Sequence, residues 1–173
     1  RVHAGVAIGG FFHIWLPIHG FLSDETVFLK ADPYTTITGP GNADFPITVS
    51  TCNHGDGSLY IHSSRGYTRD GRVKPDLAAP GVDVYGPGVS SVPGDYPMPR
   101  MTGPSVAAAP AAGPSADLYS WGYVKGNYPG MNNSAVKALL ARGAARNSSY
   151  SYPNREWGYG TLDLYQSFLT LTV

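Results

Sequence analysis

The chain's 173 residues suffice for one domain with a real core and are too few for two comfortable ones. Charged residues are sparse at 14%, and lysine plus arginine balance aspartate plus glutamate at 12 each, so nothing indicates a nucleic-acid or membrane-surface partner. A hydrophobic content of 42% argues against disorder, while 22 glycines and 15 prolines require many turns and long ordered loops.

Residues 2–8 and 11–16 read as two strands joined by Gly9-Gly10, a favoured hairpin dipeptide, with Pro17 ending the second. This apolar stretch is interrupted by Gly9, Gly10, His13 and Pro17, and no run in the chain reaches the roughly 18 apolar residues of a membrane span. It also lacks the small-residue cleavage site of a secretion signal. Residues 26–29 and 35–38 are short extended pieces, and residues 46–51 form a buried-type strand. Cys52 follows that strand. As the single cysteine it excludes an intramolecular disulfide, and it is expected to be a buried, inert thiol. Residues 58–61 offer a further strand, and residues 83–86 another after the Pro80-Gly81 turn. Residues 90–99 carry three prolines and are expected to be loop.

The next segment, Thr102-Gly103-Pro104-Ser105-Val106-Ala107-Ala108-Ala109, delivers a serine on a glycine turn into a run of alanines. The glycine permits a sharp bend, and the small residues let a helix approach a neighbour closely. A hydroxyl placed there sits at a helix N-terminus, where unpaired N–H groups favour negative charge such as an acyl-transfer oxyanion. The same pattern also marks a tightly packed helix start with no chemistry. Pro104 is tolerable at the start of the helix, but Pro110 and Pro114 fall inside it, at about 3 kcal/mol for an interior position. The helix must therefore kink, start late or be held by packing. Two more helices follow. Residues 135–142 show apolar spacing at i, i+3 and i+4, with Asn132 or Asn133 as cap and Gly143 as stop, and residues 162–169 form a terminal helix.

Ser63-Ser64-Arg65-Gly66, Lys74-Pro75-Asp76 and Ala78-Ala79-Pro80-Gly81 occur in that order before the serine. Together they resemble the "FSSRG…KPD…APG" stretch that precedes the nucleophile turn of subtilisin-like serine proteases. Gly158-Tyr159-Gly160-Thr161-Leu162-Asp163 is similar to that family's closing "GyG-x-id" motif. A narrower resemblance, to the clostridial subtilases including the spore-germination proteases, rests on three segments. These are Phe12-His13-Ile14-Trp15-Leu16-Pro17, Pro33-Tyr34-Thr35-Thr36-Ile37-Thr38-Gly39-Pro40-Gly41-Asn42-Ala43 and Arg155-Glu156-Trp157. The resemblance implies an α/β fold: the C-terminal portion of a three-layer subtilisin-like domain, with a mainly parallel sheet, packed helices and many loops. It implies a serine endopeptidase with Ser105 as catalytic nucleophile, and an extracellular or spore-associated location.

A serine hydroxyl needs a general base, usually a histidine oriented by a carboxylate. The family supplies these from "D-[ST]-G" and "H-G-T" motifs, and neither occurs in these residues. His3, His13, His19, His54 and His62 are all expected to be structural or surface residues. The family's oxyanion asparagine lies in an "A-x-G-N" stretch. Gly41-Asn42-Ala43 looks similar, but its neighbours align it later, beside the 46–51 strand. The whole chain, 1–173, is accordingly expected to be the C-terminal part of a peptidase domain, partnered by an N-terminal segment carrying aspartate, histidine and asparagine. A peptide or protein is the expected substrate.

The family has threonine where Pro104 stands and a histidine, outside the triad, where Pro110 stands. Proline at 104 removes a donor near the oxyanion, so a catalytically impaired pseudoprotease acting as a binding or regulatory partner is the alternative reading. A tyrosine-rich β-type binding module is a third. No cofactor is required. Calcium is a candidate structural ion, with Asp24, Asp32, Asp44, Asp56 and Asp70 as scattered loop carboxylates whose other role is turn capping. Trp15, Trp121 and Trp157 are expected in the core rather than on a carbohydrate-binding face.

Overall fold

The computed structural model describes residues 10, 12–17 and 20–171. It divides into two compact units, Arg1–Asp32 and Pro33–Val173. The described residues of the first unit form no helix or strand, so residues 12–16 and 26–29 are not the strands expected of them. Residues 2–8, His3 and His19 lie outside the described residues. Trp15 is not a core residue: it is 48% exposed and stacks on His13 with ring centroids 5.4 Å apart.

In the second unit, β1 (Val49–Cys52) and β2 (Leu77–Pro80) pair in parallel, with Val49 opposite Leu77 and Cys52 opposite Pro80. Both are nearly continuous buried runs, as expected of strands covered on two faces. The outer edge of β2 is extended by the closing motif. Ala78 N–H donates to Gly160 O at 2.9 Å and Leu162 N–H to Ala78 O at 2.8 Å, and Thr161 bridges onward to Ala145. The expected strand at 58–61 is reduced to one antiparallel bridge, Leu59 to Cys52. Residues 35–38 form no strand, although Thr35 and Thr36 N–H groups bond to Gly66 and Arg65 carbonyls. Cys52 is buried, and burial pushes its thiol pKa up.

β3 (Val84–Tyr85) and β4 (Arg100–Met101) pair antiparallel at the base of a loop running from 86 to 99. Helix α1 (Pro104–Tyr119) then runs continuously through Pro110 and Pro114 into a π-helical turn, Ser120–Val124. Packing settles the question the prolines raise. Ala107 and Ala111 are buried against Ala79 on β2, and Leu118 is fully buried in the main core. Each methyl allows close helix–sheet approach, and the apolar area sealed beneath the helix offsets its two missing N–H donors.

Helix α2 (Asn133–Gly143) buries Val136, Leu139, Leu140 and Gly143, the i, i+3, i+4, i+7 stripe of an amphipathic helix. Asn132 is its cap, its Oδ1 accepting from Ala135 N–H at 3.0 Å. The helix ends at Gly143 itself, and glycine is needed there because a Cβ would collide with the Ser167 backbone of helix α3 (Leu164–Leu169). Asp163 caps α3 through Gln166 N–H at 2.9 Å. The core gathers Leu77, Leu118, Met131, Val136, Leu139, Leu140 and Ala144, joined by half-buried Trp121 and Phe168. Trp157 is buried beside Cys52 and Ala78. The fold is α/β. No described helix is long and apolar enough to cross a membrane.

Candidate active site

The site is built at the carboxyl ends of β1 and β2, where open parallel sheets place their ligands. Gly81 leaves β2 with its N–H bonded to Cys52 O at 3.0 Å, and its carbonyl accepts Gly103 N–H at 2.8 Å. A Cβ on Gly81 would stand 2.6 Å from Thr51 Cγ2, 2.9 Å from Ala107 Cβ and 2.9 Å from Gly103 O. Only glycine allows this approach. Asp83 N–H donates to Thr102 Oγ1 at 2.9 Å, tying the turn from the other side. Gly103, at φ 152°, reverses the chain into α1.

Pro104 and Ser105 open the helix, and Val106 and Ala107 N–H groups bond back to Gly103 O at 3.0 and 3.3 Å. Pro104 has no N–H. The donor left over in this first turn is therefore Ser105 N–H, and among the described residues neither it nor Ser105 Oγ is hydrogen-bonded. The serine is exposed. A free hydroxyl beside its own free N–H at a helix N-terminus can attack a carbonyl and stabilise the resulting oxyanion.

The remaining motifs are structural supports. Thr51 N–H donates to the buried Ser63 Oγ at 3.0 Å, and Arg65 pairs with Glu156 at 3.2 Å. At the other end of β2, Lys74 Nζ lies 2.7 Å from Asp76 Oδ2 and donates to Pro46 O at 2.7 Å. Lys137 reaches Asp76 Oδ1 at 3.3 Å, and Thr48 N–H donates to Asp76 Oδ2 at 2.7 Å. Burial pushes the Lys74 pKa down, against the opposing pull of Asp76. The sequence showed Lys74 and Asp76, but not that Lys137 joins them. The only local hint was a charged pair running directly into the apolar Leu77-Ala78-Ala79.

Asn42 does not stand beside Ser105 in the turn just described. It closes a turn to Thr38 and lines a recess with Thr68, Arg69, Asp70 and Arg72. His54 lies in the turn after β1, and His62 is edge-on to Tyr60 at 5.3 Å. Asp44 and Asp70 are both held by Arg72, at 2.6 and 2.8 Å, and Asp56 accepts from Ser58, whose hydrogen bonds lower its carboxyl pKa. Among the described residues no three acidic, histidine or cysteine side chains gather as a metal-ligand set.

The sequence profile of the subtilase family, Peptidase S8, matches residues 29–160. Among solved structures, the CspB protease of Clostridium perfringens is 32% identical at a TM-score of 0.76, covering 85% of this chain and 31% of that one. The fold alone is shared with the prenylagaramide maturation protease PagA, at 22% identity and TM-score 0.62 over 82% of this chain and 48% of that one. It is shared too with fervidolysin from Fervidobacterium pennivorans, a keratinolytic enzyme related to subtilisin, at 20% identity and TM-score 0.60 over 76% and 20%. The chain thus spans less than half the length of each of these relatives. No curated protein sequence matches it.

Proposed function

Because the chain belongs to the subtilase family, we propose that it is the serine-bearing portion of a serine endopeptidase, with Ser105 as the nucleophile of an acyl-enzyme mechanism. The observation that carries this reading is the exposed Ser105, with hydroxyl and N–H both uncommitted, at the α1 N-terminus above the β1 and β2 ends. Ser105 Oγ attacks the scissile carbonyl of an extended peptide, and its own N–H donates to the oxyanion. The base, its orienting carboxylate and the oxyanion asparagine are contributed by a preceding segment of the same peptidase domain. Without that segment Ser105 has no proton acceptor, and these residues alone turn over no substrate.

Pro104 favours a second reading, an impaired protease that binds rather than cleaves. The missing N–H stands directly before the nucleophile, and losing one oxyanion donor costs on the order of 3 kcal/mol, about a hundredfold in rate. A serine-directed fluorophosphonate probe, applied to the complete protein, separates the two. Labelling that disappears in Ser105→Ala supports the enzyme. No labelling of a folded complete protein sinks it.

A further inference from the structure

A second locus of uncommitted chemistry lies on the closing motif, in a recess of about 370 Å³ lined by Tyr34, Tyr67, Ser149, Tyr150, Ser151 and Arg155. The Arg155 guanidinium lies over two rings at once, 5.1 Å from the Tyr34 centroid and 5.3 Å from that of Tyr67. It has no hydrogen bond or ion pair among the described residues. Its position is nonetheless fixed. The Arg155 carbonyl accepts Gly66 N–H at 2.8 Å, and Tyr67 Oη donates to Pro153 O at 3.2 Å. Asn154, next in chain, is fully engaged: Oδ1 accepts from Glu156 and Trp157 N–H groups, and Nδ2 donates to Ser151 O.

Glu156 also lines the recess, but it is paired with Arg65 at 3.2 Å and leaves Arg155 as the uncompensated charge. The hydroxyls of Ser149, Ser151 and Tyr150 likewise have no partner among the described residues. Tyr150 is held in place by stacking on Trp157, centroids 6.2 Å apart and planes at 26°. The recess thus presents one planar cation with a free donor fork, three free hydroxyls and aromatic faces.

We propose that this recess binds a carboxylate-bearing sugar of the uronic-acid class. The guanidinium fork matches a carboxylate with two parallel N–H donors. Serine and tyrosine hydroxyls serve the ring hydroxyls as both donors and acceptors, and tyrosine faces receive the apolar C–H face of the ring. The volume is at the lower end of small-molecule sites, which run from roughly 300 to 1,000 Å³, and suits a single sugar ring. Glycan recognition here is independent of the reading of Ser105.

The test is calorimetric titration of the complete protein with glucuronate and galacturonate, against glucose, galactose, acetate and a glutamate-containing tripeptide. Saturable binding of a uronate is expected, at least tenfold tighter than its neutral parent or acetate. Arg155→Gln should weaken it by about tenfold or more, as a charge-assisted hydrogen bond is lost. Ser151→Ala, at an exposed hydroxyl with no internal partner, should weaken it severalfold without moving the melting temperature, and keeps the test open if Arg155→Gln fails to fold. Absence of uronate binding overturns the proposal. So does equal binding of the neutral sugar, tighter binding of the peptide, or unchanged affinity in a folded Arg155→Gln or Ser151→Ala variant.

Discussion

Gly103 donates its N–H to the Gly81 carbonyl at 2.8 Å, so the turn bearing Ser105 is suspended from the end of β2. Gly81 in turn donates to Cys52 O at 3.0 Å, which makes one hydrogen-bonded relay from β1 through β2 to α1. The height of Ser105 above the sheet is set by backbone.

Gly81→Ala should therefore destabilise the protein and displace the site together. The new methyl would meet Gly103 O at 2.9 Å, a backbone atom that cannot rotate away. Overpacking of this kind costs about 1–3 kcal/mol. Thermal denaturation should show the loss, and fluorophosphonate labelling of the complete protein should fall further than the stability change explains.

Pro104→Thr restores an N–H next to Ser105. If Ser105 is the nucleophile, labelling of the complete protein should rise by up to about a hundredfold. An unchanged rate would remove the missing donor as the reason for any weak activity.

The prolines of α1 make an opposite prediction. Pro110→Ala and Pro114→Ala each return a donor to the helix, to the Val106 and Pro110 carbonyls. Each should stabilise the protein, by up to about 3 kcal/mol, in urea denaturation. A loss of stability would mean that the half-buried rings pack better than the restored hydrogen bonds repay.

Asp76 holds Lys74 at 2.7 Å and Lys137 at 3.3 Å. Asp76→Ala leaves the Lys74 ammonium, whose side chain is 3% exposed, without its counter-charge. Breaking a buried pair in this way costs about 3–5 kcal/mol. Lys74→Met in the Asp76→Ala background should recover part of that loss, which a denaturation cycle of the four proteins would measure.

Burial lowers the Lys74 pKa from the ordinary lysine value of 10.5. The folded protein then releases this proton at lower pH than the unfolded chain, which binds more protons over the interval just below 10.5. Stability contributed by Lys74 accordingly rises with pH across that interval. Urea denaturation over an alkaline pH series should show the parent protein gaining on Lys74→Met as pH approaches 10.5. A difference that shrinks instead would contradict the assigned direction.

Local features were legible in the sequence where local forces decide them. The α2 stripe, its cap at Asn132, the strand before Cys52 and the glycine turn before Ser105 all follow from spacing and residue type. What local pattern could not give was decided by distant partners. Pro110 and Pro114 are tolerated because Ala107 and Ala111 lie on Ala79, far back in the chain. Position 143 must be glycine because α3 crosses it at Ser167. Thr35 is turned out of the extended form, at φ 57°, so it and Thr36 bond singly to Gly66 and Arg65 rather than joining a ladder. At the site, the serine could be read from its own neighbours. The buried charges of Lys74, Asp76 and Lys137, and the seating of Arg155 between Tyr34 and Tyr67, exist only once the chain has folded.

The loop between β2 and α1 is closed at its neck. Asp83 N–H meets Thr102 Oγ1, Val84 pairs with Met101, and the ladder is prolonged by Gly86 N–H to Pro99 O and Gly88 N–H to Pro97 O. Past that neck Val89, Val92 and Tyr96 are exposed, and the hydrogen bonds of residues 89–96 stay within the loop: Ser90 to Asp95, Val92 to Ser90 and Asp95 to Val92. Residues 89–96 are in effect a replaceable cassette. Exchanging them by design should leave the melting temperature of the protein unchanged, as expected of an exposed loop tip.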